Sequence, residues 1–197
     1  MFVTKCAIAM SPLSVPLAPI RLDWFGIELS SPPLIGCAID PQHFHLRASR
    51  AAPGTVHPDA KPGCFTPNLW QYDAVEFFLV DPENGHSLEF NLAPNGAWWS
   101  CEFTAPRQRA QADDEPFPGV TTTGQVRRDS WEATASLPLD QLRERFHFGP
   151  STRFNTNATL LNPGPTFLTA APLGPGKPDF HQPGRLPRIR MQTSDNQ

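Results

Sequence analysis

The stretch AVEFFLV at Ala74–Val80, followed by DPENG at Asp81–Gly85 and HSLEFNL at His86–Leu92, decides the fold class. Successive side chains of a strand point to opposite faces. Ala74–Val80 therefore sets Val75, Phe77 and Leu79 on one face and Glu76, Phe78 and Val80 on the other. Apolar residues on both faces mark a centrally placed strand, with Glu76 the exception. His86–Leu92 alternates cleanly, Leu88, Phe90 and Leu92 against Ser87, Glu89 and Asn91. The Asn-Gly step between the two segments supplies the positive φ of a tight turn. Two alternating segments joined in this way predict a β-hairpin.

The same reading extends in both directions. Ile20–Leu29 (IRLDWFGIEL) predicts an opening strand, and His43–Ser49 puts Phe44, Leu46 and Ala48 on one face. Beyond a second turn, Ala93-Pro-Asn-Gly96, the segment Ala97–Phe103 places Trp98 and Trp99 on opposite faces. Trp99, in step with Cys101 and Phe103, is the expected core residue of the two. Arg107–Pro118 is polar and acidic and reads as a loop. Val120–Val126 and Ser130–Leu137 make another strand pair, and Arg153–Leu161, Thr166–Ala171 and Leu186–Met191 complete the set. Leu139–Arg145, just after Pro138, is the one convincing helix. About ten short strands at this spacing predict an all-β protein, an antiparallel β-sandwich of immunoglobulin-like or jelly-roll type with one short helix. The expected organisation is a single domain over residues 1–197, with an ordered core of about 18–191 and a fraying tail at Gln192–Gln197. Val75, Phe77, Leu88, Phe90, Trp131 and Phe154 are the expected core.

Composition agrees and narrows the function. Proline accounts for 24 of the 197 residues, against an average near 5%. Proline ends helices and stays out of central strands, which excludes a helical bundle. The formal charge of −3 argues against a nucleic-acid binder relying on bulk charge. No run of 18 apolar residues is present, so no membrane helix is encoded. Near the N-terminus Pro12 and Pro16 interrupt any apolar signal core, which favours a cytoplasmic over a secreted location. Cys6, Cys37, Cys64 and Cys101 are far apart, form no CxxC and read as four thiols.

Catalytic and metal motifs are sparse. There is no GxSxG, no HExxH and no kinase set. Pro178 prevents Leu173–Pro178 from opening the helix that a phosphate loop needs. His43 and His45 share a strand face that could suit a metal, though a solvated face is the simpler reading. Asp81, Glu83 and Asp113–Glu115 leave calcium open without an EF-hand pattern. Asn157-Ala-Thr159 matches a glycosylation sequon but falls inside a predicted strand.

One cluster carries a resemblance. Leu69-Trp-Gln-Tyr-Asp-Ala-Val-Glu-Phe-Phe78 resembles the W-x-x-D-x-V-E-x-F signature of family-9 carbohydrate-binding modules and the wider DOMON-like superfamily. Leu88–Asn91 and Pro94–Trp98 are similar to its next strand and turn. Trp131–Pro138 with Leu139–Leu142 is similar to its W-x-x-E-x-x-I-P-x-x-x-L segment, and Phe154-Asn155 to its late F-N strand. Lys177–Pro183 (KPDFHQP) and Leu186–Met191 look like its last aromatic turn and closing strand, in a form akin to stand-alone bacterial DOMON-like proteins. The matches are collinear from about residue 65 to 191.

The resemblance implies a β-sandwich of two antiparallel sheets with a groove on one face, where two aromatics clamp a sugar and polar side chains beneath them hold its hydroxyls; the site residues are expected to converge at one end of the sandwich. Carried over, Trp70 matches one clamp aromatic, and Phe180 falls where the modules have Trp. Glu76 matches their carboxylate, and Asn157 falls where a side-chain amide is expected. Glu89 and His181 stand where they use arginine, and those departures imply a different ligand or none. Asp73 is expected to be structural, capping the turn into its strand.

The expectation is a non-enzymatic domain binding a small-molecule or oligosaccharide ligand, with no cofactor, no nucleic acid and no membrane partner. A haem-binding DOMON electron carrier is the alternative. It needs axial ligands such as Met or His in an apolar pocket, and the three methionines, Met1, Met10 and Met191, lie off the early strands. An interaction or accessory domain with a degenerate sugar site is the third reading.

Overall fold

The computed structural model describes residues 2–193. Its strands are β1 (Val3–Lys5), β2 (Ala18–Pro19), β3 (Leu34–Ile39), β4 (His43–Arg50), β5 (Ala74–Val80), β6 (Ser87–Leu92) and β7 (Trp98–Ala105). They continue with β8 (Gln108–Arg109), β9 (Thr121–Val126), β10 (Trp131–Pro138), β11 (Arg153–Leu160), β12 (Thr166–Thr169) and β13 (Met191–Thr193). The one α-helix among the described residues, α1 (Leu139–Phe146), follows β10 directly. The strands form two sheets. One runs β13-β1-β3-β4-β10-β9 with β2 added to β3, and the other runs β12-β11-β5-β6-β7-β8.

The packing follows from side-chain parity. Phe44, Leu46 and Ala48 of β4 and Ala133, Ala135 and Leu137 of β10 face Val75, Phe77, Leu79, Leu88, Phe90 and Leu92 of the second sheet in one buried cluster. Phe77 stacks on Phe90 with centroids 5.3 Å apart. Phe44 meets Phe77 edge-on at 5.2 Å and Phe154 at 5.6 Å. The six expected core residues, Val75, Phe77, Leu88, Phe90, Trp131 and Phe154, all belong to this cluster. β5, apolar on both faces, lies between β11 and β6, where its sequence puts it. The β5–β6 turn has Gly85 at φ 77°, as the Asn-Gly step requires. Pro138 ends β10 at the start of α1, whose Leu139, Leu142 and Phe146 are buried at the spacing of one helical face.

Three sequence expectations change. Ile20–Leu29 is not a strand. Asp23 Oδ1 accepts hydrogen bonds from the backbone N–H of Phe25 (2.9 Å) and Ile27 (2.8 Å), and Gly26 takes φ 82°. This folds the segment back so that Leu22 bridges Glu28. The first long strand is instead Leu34–Ile39, which pairs antiparallel with β4. The closing strand shrinks to Met191–Thr193, with only Arg188 of the preceding segment bridging Arg153. It pairs parallel with β1, which in turn pairs parallel with β3, so this corner interrupts an otherwise antiparallel sandwich. Gln192 and Thr193 are therefore ladder residues, and the rest of the expected fraying tail, 194–197, lies outside the described residues.

Buried polar groups pin the connections. Asp73, fully buried, accepts from the backbone N–H of Thr55 (3.2 Å) and Leu161 (2.6 Å) just before β5. Cys37 and Cys101 are buried, and with Cys64 they are free thiols. No helix among the described residues is long and apolar enough to cross a membrane.

Candidate functional site

The register places polar residues on the outer face of the second sheet. Asn157 lies opposite Glu76, Glu76 opposite Asn91, and Asn91 opposite Trp99. These four make one row across β11, β5, β6 and β7. The adjacent row holds Asn155, Phe78, Glu89 and Cys101. All eight are buried, with Glu76 2% and Glu89 4% exposed. Two small apolar clusters, around Trp99 and around Phe78, flank these buried carboxyls and amides on the same face.

A cleft of about 350 Å³ lies over this floor. Trp70, Glu76, Glu89, Phe180 and His181 all line it, together with Phe78, Trp99, Phe103, Thr159, Phe167, Pro178, Asp179 and two arginines, Arg107 and Arg109. Trp70, on a 3-10 turn at Leu69–Gln71, packs edge-on against Trp99 with centroids 4.8 Å apart. Phe180 packs against Phe167 at 6.4 Å and Trp24 at 5.8 Å. Since β7 and β12 flank the β5–β6 floor on opposite sides, Trp99 and Phe167 mark the two walls. His181 is edge-on to Phe78 (5.0 Å) and Phe103 (5.2 Å). Asn157 is not among the lining residues. It is fully buried beside Glu76 in the ladder, which also removes it as a glycosylation acceptor.

One placement corrects the sequence reading and another adds to it. The cleft opens on the face of a sheet, not at one end of the sandwich, because Glu76, Phe78 and Glu89 project from the middles of β5 and β6. Trp98 joins the core between the sheets and stacks on Phe90 at 5.8 Å, while Trp99 is buried, as expected, in a separate apolar cluster. Trp99 shares the opposite face with Cys101 and Phe103 and walls the cleft. Arg107 and Arg109 were hidden in a segment read only as a polar loop. Arg107 sits at φ 61° in the β7–β8 turn, and its Nη2 donates to Asp179 Oδ1 at 2.8 Å. Arg109 lies over the Trp99 ring, 5.7 Å from its centroid, and pairs with Asp114.

The floor is electrostatically unusual. Burial drives the Glu76 carboxyl well above the usual carboxylate range, and the neighbouring Glu89 adds to this. Burial pushes Glu89 up to about 7, against the opposing pull of the Asn91 amide, Arg109 and Arg107. His181 is lowered to about 4, first by burial and then by Arg107, with Asp179 opposing. The 3.3 Å contact between His181 Nε2 and Glu89 Oε2 therefore joins the carboxyl to a neutral imidazole. Asn91 Nδ2 donates to Glu89 Oε1 at 2.9 Å, and Asn155 Nδ2 donates to Asn157 Oδ1 at 2.9 Å. Asn91 Oδ1, Asn155 Oδ1, Asn157 Nδ2 and Trp99 Nε1 are buried without a protein partner. Buried polar atoms are normally satisfied, so such a cluster beside a cleft marks unused hydrogen-bonding capacity.

A second titratable cluster lies on the other sheet. Ligand atoms of Asp40, His43 and His45 fall within 4.8 Å of one another. The expected solvated histidine face is not found for His45, which is 2% exposed. Its Nδ1 meets Ser136 Oγ at 2.8 Å and its Nε2 meets Asp40 Oδ2 at 3.1 Å. Asp40 also accepts from the backbone N–H of Met10, Gln42 and His43. These bonds account for the buried charge, and the cluster pins the β3–β4 turn to the N-terminal segment.

The architecture belongs to a known class of β-sandwich. No protein-family model matches the chain, and no curated protein matches it by sequence. Among solved structures, a protein from Bacteroides uniformis described as a candidate carbohydrate-binding protein is similar with a TM-score of 0.69. It shares 15% identity over 98% of this chain and 98% of its own. A family-9 carbohydrate-binding module from Caldicellulosiruptor kristjanssonii, in complex with glucose, gives 0.61 at 13% identity over 100% of this chain and 97% of its own. A module of that family from the same organism, in complex with cellotriose, gives 0.64 at 13% identity over 100% and 95%. The chain thus has the fold of the family-9 modules.

Proposed function

We propose that this chain is a non-catalytic carbohydrate-binding domain, spanning residues 1–197, that holds a mono- or oligosaccharide in the cleft over Glu76 and Glu89. One observation carries the reading. Trp70 and Phe180, remote in sequence, line one cleft whose floor holds two buried carboxyls, Glu76 and Glu89. A pyranose has an apolar CH face that packs on an aromatic ring, while its hydroxyls need fixed donors and acceptors. A few convergent polar groups in an aromatic-lined cleft are the usual form of such a site. The fold likeness to modules solved with glucose and cellotriose supports the same reading.

Phe180 offers a smaller face than a tryptophan, so the expected affinity is weak, on the order of 0.1–1 mM, or about −4 to −5.5 kcal/mol. NMR titration of the full chain with glucose and cellotriose tests this. Shifts should concentrate on the Trp70 and Trp99 indoles and vanish in Trp70→Ala, while that half-buried residue's loss leaves the protein folded. Unchanged spectra at high sugar concentration overturn the reading. Incubation with aryl glycosides should release no phenol, and release would make the Glu76–Glu89 pair catalytic. A Soret band in the purified protein would favour haem instead.

A further inference from the structure

The charges around the cleft do not balance where they are buried. Glu76 and Glu89 project from adjacent strands onto one face, diagonal to each other across the β5–β6 ladder. Among the described residues, neither forms an ion pair with a lysine or arginine. Arg107 and Arg109 stand at the exposed rim, where they are engaged with Asp179 and Asp114. His181, whose Nε2 lies 3.3 Å from Glu89 Oε2, is held neutral chiefly by burial. The unpartnered oxygens of Asn91 and Asn155 add further acceptors on the same face. Two buried carboxyls without an ion-paired arginine or lysine are biased toward the protonated form, since an unpaired buried charge is costly. A ligand that brings its own positive charge replaces those protons and gains charge-assisted hydrogen bonds.

We infer that the sugar bound in this cleft carries a primary amine: an amino sugar of the glucosamine class, with its ammonium group on Glu76 and Glu89 and its ring between the aromatic walls. The inference rests on the sugar-cleft reading and specifies its ligand. A neutral sugar brings no charge to offset the burial that favours the protonated form of both carboxyls. The ammonium form makes ionised partners of them, so its binding expels protons. Affinity for the amino sugar then rises with pH while the amine stays charged, as ionisation of Glu76 and Glu89 becomes easier. His181, Asp179, Arg107 and Arg109 face the same space; the two arginines pull the Glu89 carboxyl down from the rim, and burial outweighs them.

Calorimetric titration of the full chain with glucosamine, glucose and N-acetylglucosamine tests the inference. The acetylated sugar keeps the ring and hydroxyls while removing the charge. Glucosamine should bind at least about tenfold more tightly than the other two. Its heat should depend on the ionisation enthalpy of the buffer, reporting proton release. Glu76→Gln and Glu89→Gln, each close in shape to the wild-type side chain, should abolish the preference for glucosamine over glucose and the buffer dependence of its heat. Melting curves establish that both variants fold. Equal binding of the three sugars overturns the amino-sugar inference and leaves the carbohydrate reading standing. Binding of none of them, nor of cellotriose, overturns both.

Discussion

Glu89 and Phe90 are consecutive residues with opposite surroundings. Glu89 lines the cleft, while Phe90 stacks between Phe77 and Trp98 in the core between the sheets. Truncating Phe90 removes both stacked contacts and leaves a cavity that the surrounding β-sheet cannot close. Phe90→Ala should cost roughly 3–5 kcal/mol in chemical denaturation, and an unchanged midpoint would place this side chain outside the core. The facing of Phe90 was readable because strict alternation leaves one choice once a neighbour is assigned. For Trp98 and Trp99 the same rule sets only that they oppose each other. Which one faces inward depends on the pairing of Leu92 with Trp98, and that pairing lies outside the segment itself. Trp70, Glu76, Glu89, Phe180 and His181 could be nominated from the motif they sit in. Trp24, Phe167 and the two arginines could not, because tertiary folding alone brings them to the cleft or its wall.

Among the elements, the β6–β7 turn and β9 meet at two glycines. A Cβ on Gly124 would stand 2.1 Å from Gly96 N and 2.2 Å from the carbonyl carbon of Asn95. A Cβ on Gly96 would meet the Gly124 nitrogen at 2.6 Å. Both obstacles are backbone, so neither can swing away. Gly124→Ala should therefore destabilise by about 1–3 kcal/mol or more, measured by urea unfolding. Gly164→Ala, whose new methyl meets nothing within 4 Å, is the control and should be close to neutral. A Gly124→Ala protein as stable as the wild type would mean that the turn and β9 are not in contact. The misread element is instructive for the same reason. Ile20–Leu29 alternates well enough to pass for a strand, yet Asp23 captures two backbone N–H groups and bends it. Leu34–Ile39, behind two prolines and containing Gly36, signals a strand weakly. It becomes one because Pro16 closes against Gly36 so tightly that a Cβ there would overlap the Pro16 carbonyl oxygen, while β4 supplies the ladder.

At the scale of the whole molecule, the two sheets respond to pH in opposite senses. On the first, burial works against the Asp40 charge, but hydrogen bonds from His45 and from the backbone N–H of Gln42, Met10 and His43 outweigh it and hold the group at about 2. A carboxyl lowered by folding stabilises above its unfolded value near 4, and that stability is lost as pH falls toward about 2. On the second sheet Glu76 and Glu89 are raised, chiefly by burial. Their contribution is complete below about 4.5 and is lost as pH rises, through about 7 for Glu89. His181, lowered to about 4, opposes them between about 6.5 and 4, so the wild-type profile is a sum of overlapping slopes and differences are the clean measurement. The melting temperature of Glu89→Gln minus that of the wild type should grow steadily from about pH 4.5 to 7. The wild-type advantage over Asp40→Asn should shrink between about pH 4 and 2. A Glu89→Gln difference that stays constant with pH would show an ordinary carboxylate on the floor, with no proton for a cationic ligand to displace. With saturating glucosamine present, the alkaline decline of the wild type should flatten, because a bound ammonium favours the ionised carboxyls that the empty cleft resists.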